Sequence, residues 1–151
     1  MSRASRQSQF AIFRRITALA AFAASAIAGG ALAHHSFAAE FDRNAQIRLE
    51  GRVTKFEWVN PHSWIHVAVQ TDHGIEEWRI EAGTPAAMRR RGWERDSLPP
   101  GTRVLVNAFR ARDGSRRASA ATIGFPNGRQ VSLGNPTAEA VVAATRHSRL
   151  P

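Results

Sequence analysis

The feature that most limits the fold of this chain is a period-two apolar alternation that changes phase inside one stretch. Ile47, Leu49 and Val53 occupy odd positions, whereas Phe56 and Trp58 occupy even ones. Alternation of this period buries one face of a β-strand, and a one-residue slip turns that face outward. A strand that keeps both sets inside needs a bulge or sharp bend between them, and Gly51 helps the chain coil there.

Further strands follow in the same style. After the Asn60-Pro61 turn, Ile65, Val67 and Val69 point one way, and Trp64, His66, Ala68 and Gln70 the other. A tight turn at 71–74 leads into a third strand over 75–82, with Trp78 and Ile80 on its apolar face. Thr84 and Pro85 open a short helix as N-cap and first residue, and Gly92 ends it. The turn at 98–101 starts a fourth strand over 103–110. Asp113-Gly114 makes a hairpin into a fifth, about 118–125, and Pro126-Asn127-Gly128 turns the chain back through 130–133. Strand, strand, strand, helix, strand, strand is the order of an oligonucleotide/oligosaccharide-binding (OB) barrel. The expected class is therefore all-β with small helical content, an OB-like five- to six-stranded Greek-key barrel with one helix between strands three and four. Trp78 reads as core, Trp58 and Trp93 as packing the barrel end and the helix base, and Trp64 as partly exposed.

The N-terminus has a different character. Arg3, Arg6, Arg14 and Arg15 precede a 16–28 stretch interrupted only by Thr17 and Ser25, and Ala31 and Ala33 stand at −3 and −1 of a cut before His34. This is the pattern of a removable secretory signal, and the apolar run is shorter than the roughly 20 residues a membrane-spanning helix needs. The expected organisation is a signal peptide at 1–33, an extended segment at 34–46, the OB-like domain at 47–134 and a C-terminal tail at 135–151. The tail's alanine-rich 137–146 stretch could form a helix, although Ala140, Val141 and Ala144 offer little to bury. The expected location is periplasmic or secreted, with no membrane span after cleavage. Without the four leader arginines, 17 basic residues face 12 acidic ones, a moderate +5 that does not by itself call for nucleic acid. The chain has no cysteine, so disulfides, thiolate metal sites and cysteine nucleophiles are excluded.

Several segments resemble a family of exported bacterial proteins of unknown function. They are His34-His35-Ser36-Phe37, Leu49-Glu50-Gly51-Arg52-Val53, Trp58-Val59-Asn60-Pro61-His62-Ser63-Trp64, Arg89-Arg90-Arg91-Gly92-Trp93 with Arg95-Asp96-Ser97-Leu98, and Pro100-Gly101. The resemblance spans about 34–133. It implies an exported small β domain and carries over no catalytic residue.

Cleavage before His34 would free an α-amine on a histidine, and that amine with the ring nitrogen can chelate Cu(II), as in histidine-brace proteins. Such nitrogen donors suit copper. His62, in the turn after the first strand, is the best second imidazole; His66 and His35 are further candidates, and Glu40 and Asp42 could add oxygen ligands. A frayed polar terminus and a turn-bonded His62 are the plain reading of the same residues. A second candidate is the hairpin between strands four and five, where Arg110, Arg112, Arg116 and Arg117 could bind an anion with Trp64 as a stacking platform. Nucleic acid fits poorly there, because the third strand carries Glu76, Glu77 and Glu81. The plain reading of these arginines is a solvated charged surface. No nucleophile elbow, phosphate-cradling loop or other catalytic motif is present. The sequence thus points to a binding or accessory module, with docking to an envelope protein through Trp64 as the alternative to a metal ion or anion.

Overall fold

The computed structural model describes the backbone of residues 37–147 and the side chains of 37–143. The leader expected at 1–33, together with His34 and His35, lies outside the described residues. The elements in chain order are β1 (Phe41–Glu57), β2 (Trp64–Thr71), β3 (Gly74–Glu81), α1 (Pro85–Arg89), β4 (Arg103–Ala111), β5 (Arg117–Gly124), β6 (Gln130–Ser132) and α2 (Pro136–His147). Neighbouring strands run in the order β3-β2-β1-β4-β5-β6, and an additional β3–β5 pairing turns the first five into a ring. That closure is the one parallel pairing among the described strands, and every other ladder is antiparallel. The class is the one the strand order predicted: all-β, OB-like, with one helix between β3 and β4.

The phase change in β1 is a register shift between Val53 and Lys55 in its ladder with β2. It keeps Leu49 and Val53 buried on one side of the shift and Trp58 buried beyond it. β1 can therefore serve two neighbours, with Arg52–Glu57 paired to β2 and Gln46–Arg52 paired to β4. The ring's core holds Val53, Ile65, Val67, Ile80, Val104, Val106 and Ile123. Trp58, Trp78 and Trp93 join it, and the Trp93 indole donates to the Ser132 carbonyl at 2.8 Å. Burying an indole without a partner for its N–H would be costly, so this bond belongs with the packing. α1 begins as its sequence indicates: Thr84 Oγ1 accepts from the Ala87 amide at 3.1 Å, with Pro85 in the first turn.

Two segments outside 47–134 take part in the packing. The 34–46 stretch is not simply extended, because residues 37–40 are helical and Phe41 already starts β1. Phe37 and Phe41 bury against Phe109, with ring centroids 5.6 Å apart for Phe37–Phe41 and 5.7 Å for Phe37–Phe109. They form a second small core with Ala111, Ala121 and Ala138. The 135–151 tail contains α2, which packs on that core through fully buried Ala138. Asn135 caps it, its Oδ1 accepting from the Ala138 amide at 3.2 Å while its Nδ2 donates to Ser119 Oγ at 2.8 Å. Asn135→Ala would remove the cap and strand a buried hydroxyl. Its expected cost is about 1–3 kcal/mol in chemical denaturation, with far-UV strand signal retained.

Candidate functional site at the closing seam

The parallel pairing that closes the ring is only three residue pairs long: Arg79 with Arg117, Ile80 with Ala118 and Glu81 with Ser119. The buried polar residues among those described are Ser63, Glu81, Ser119, Asn135 and Thr137. Strand pairing and hydrogen bonds tie the first four to this seam. The loop after β1, which contains the cis Asn60–Pro61 peptide, brings Ser63 alongside the end of β3. There the Ser63 amide donates to the Gly83 carbonyl at 3.0 Å, and the Ala82 amide donates to the Ser63 carbonyl at 2.9 Å.

These backbone bonds set His62 beside Glu81, with Nδ1 at 3.0 Å from Oε1. The imidazole is 43% exposed and the carboxylate 10%. Burial, aided by Glu40 and opposed by Arg117, pushes the Glu81 carboxyl up to about 7. Glu40 in turn meets Arg117 at 3.0 Å. Ser63 Oγ and Arg117 Nε are buried without a hydrogen-bond partner. With Nδ1 turned toward Glu81, Nε2 is the ring nitrogen left for another partner. A carboxylate-oriented imidazole of this kind is the arrangement found behind metal-ligating histidines.

Alternation along β3 does not mark Glu81 as a site residue. It shares strand parity with exposed Glu77 and Arg79, which assigns it to the outward face. It is buried because Ser63 and β5 cover the end of β3. The one available signal is its place between Ile80 and Ala82, both fully buried.

His66 lies elsewhere, on the outer face of β2. Its Nε2 is 3.3 Å from Glu57 Oε1 and its Nδ1 is 3.9 Å from Glu77 Oε1. The two carboxylates approach opposite nitrogens of one ring, so they cannot converge on a single ion with it. His62 and His66 thus engage different carboxylates, and no group of three or more His, Asp or Glu is arranged to hold a metal ion among the described residues. Thr54 bonds Glu77, Lys55 meets Glu57 at 2.6 Å, and the Arg79 guanidinium lies over Trp64 at 4.0 Å from the ring centroid. Trp64 is half-buried as expected, but its face is already occupied by Arg79.

The hairpin arginines stay at the surface but are paired within the protein. Arg116 pairs with Glu76 at 3.1 Å and holds that carboxyl below its ordinary range. Arg117 pairs with Glu40, and Arg112 donates to the Ala38 carbonyl at 2.8 Å. Arg110 reaches the Gly114 carbonyl and lies 5.5 Å from the centroid of Trp78. Each has a partner within the protein, and together they bind the residues before β1 and the β3 strand to the hairpin.

No helix among the described residues is long and apolar enough to cross a membrane. No curated protein matches the chain. A family model does match, over residues 21–120, a span that includes part of the apolar 16–28 stretch and every strand through the first half of β5. On that match, covering about two thirds of its length, the chain belongs to DUF6152, a family of unknown function.

Proposed function

We propose that the protein is an exported binding or accessory module of the periplasm or extracellular space, and that it holds a copper-type ion through the new N-terminus and His62. The observation that carries this reading is the half-exposed His62 imidazole with the buried Glu81 carboxyl 3.0 Å from its Nδ1. It resembles a ligand held ready by its outer partner. One imidazole is too few for a tight site. The missing donors would come from His34, whose amine and ring become available when the leader is cut before it. Glu40 pairs with Arg117 at 3.0 Å and helps raise the Glu81 carboxyl, which ties the residues just before β1 to the seam that holds His62. His35 is the nearest auxiliary donor. His66, held between two carboxylates, is the weaker one. Nitrogen donors of this set favour Cu(II) over harder ions.

The test is Cu(II) calorimetry on protein expressed for export, with its first residue established by mass spectrometry. Sub-micromolar affinity is expected, falling about tenfold or more in His62→Ala and in His34→Ala. Unchanged affinity in His34→Ala would end the proposal, as would a native N-terminus at which the leader is retained. Anion binding by the hairpin is the weaker reading, since Asp42, Glu76 and Glu40 already offset the charge of Arg112, Arg116 and Arg117 one for one.

A further inference from the structure

A separate feature lies on the outer face of β1, β2 and β3. β1 pairs with β4 up to Arg52 and with β2 from Arg52 onward. Where it passes from one neighbour to the other, a groove of about 620 Å³ opens beside it. That is within the roughly 300–1,000 Å³ of small-molecule sites. The floor is Gly51 and Ala68. A Cβ on Gly51 would point inward, 2.3 Å from the Ala68 carbonyl oxygen and 2.7 Å from Val67 Cγ1, so only glycine lets β1 and β2 approach this closely beneath the groove.

The walls differ in chemistry. Arg52 and the Glu50–Arg103 pair line one part, and Gln70 and Ile75 another. Arg52 Nη1 donates to the Gly101 carbonyl at 3.0 Å. Arg103 donates to Glu50 Oε1 through Nε at 3.2 Å and Nη2 at 2.7 Å. Both guanidiniums are thereby anchored while keeping donors to spare, and two positive charges face one negative. Ile75 is 74% exposed, more than any other large hydrophobic among the described residues. Anchored cations, a small-residue floor and an uncovered branched side chain complement a molecule that is anionic at one end and hydrocarbon along its body.

We infer that this groove binds small amphiphilic carboxylates, the head group on Arg52 and the apolar body against Ile75 and Ala68. The site shares no residue with the His62–Glu81 seam, so it stands or falls apart from the metal proposal.

Decanoate, kept below its micelle-forming concentration, is the probe, titrated into the purified protein and followed through amide NMR shifts of Gly51, Ala68 and Ile75. Saturable shifts are expected at sub-millimolar decanoate, with decyltrimethylammonium at least tenfold weaker. Arg52→Glu should weaken decanoate about tenfold or more, the scale of a lost charge-assisted bond. Ile75→Ser should weaken it several-fold. Both residues are exposed, and retained chemical-shift dispersion confirms that the variants fold. Absence of saturable shifts at these amides overturns the inference. Equal binding of the cationic chain, or full decanoate affinity in folded Arg52→Glu, overturns it as well.

Discussion

Replacing Gly83 with alanine is expected to unfold the domain or cost more than about 4 kcal/mol, a loss of the size reserved for specific structural failures. A Cβ at this position would lie 2.1 Å from the Gly134 carbonyl oxygen, 2.4 Å from its carbon and 2.8 Å from the Leu133 oxygen. All three are backbone atoms, so no side chain can rotate out of the way. The backbone around the glycine is also committed: its amide donates to Leu133 at 2.8 Å and its carbonyl accepts from Ser63 at 3.0 Å. Relief would have to break the contact between the end of β3 and the residues leading into α2. Urea denaturation measures the effect, and Gly124→Ala is the control. There the nearest atoms to an added Cβ stand at 3.6 Å, an ordinary contact. Gly124→Ala should change stability by no more than about 1 kcal/mol. Equal stability of the two variants would mean that the close approach at Gly83 is not a property of the folded protein.

The second large effect is on pH. Glu81 ionises at about 7 in the folded chain against an ordinary 4.5. Folding therefore favours its protonated form. Between pH 4.5 and 7 the folded protein retains a proton that the unfolded chain has released, so stability falls as pH rises through that window and is level above it. The gap corresponds to about 3 kcal/mol when fully expressed. Among the groups facing Glu81, Glu40 adds to the upward shift and Arg117 opposes it, while His62 Nδ1 lies 3.0 Å from its Oε1. Glu57, Glu76 and Asp113 have lowered pKa values, so they lose stability below their own ordinary ranges, on the acid side of this window. In metal-free protein, Glu81→Gln should be more stable than wild type at about pH 8 and show little slope from about pH 5 to 8. A wild-type profile that rises over the same interval would contradict the buried, uncharged carboxyl.

The strands are legible in the sequence because their periodicity is a local property. In β2, Ile65, Val67 and Val69 are buried while the residues between them are half-covered or exposed. The displaced apolar phase in β1 likewise locates the shift between Val53 and Lys55. The helix over Pro85–Arg89 is readable from Thr84, Pro85 and Gly92. What escapes a linear reading depends on residues far apart in the chain. Phe37 and Phe41 look isolated until Phe109 and α2 are folded onto them, so the segment before residue 47 reads as an extension. Asn135-Pro136 has the form of a helix cap, but its role shows only against Ser119. The arginine hairpin is an exposed charged surface as it reads, but its pairing does not show in the sequence, because Glu40 and Glu76 are 77 and 40 residues away from Arg117 and Arg116. The loop position of His62 singles it out, whereas the carboxylate that orients it belongs to a strand end whose burial no alternation pattern reveals.

The way β1 divides its length between two neighbours also orders assembly in time. Its partners in β2 begin seven residues after the strand ends, at Trp64, and β3 follows after a two-residue turn; Arg52 must find Arg103 across some fifty residues. Contacts between near neighbours form at lower entropic cost than distant ones. The β1–β2–β3 meander can therefore be in place while the C-terminal half is still unstructured. The polypeptide then reaches its native state at a pace set by the docking of its later strands, and until that happens the exposed margins of the early meander are where a crowded chain is most open to pairing with the wrong partner.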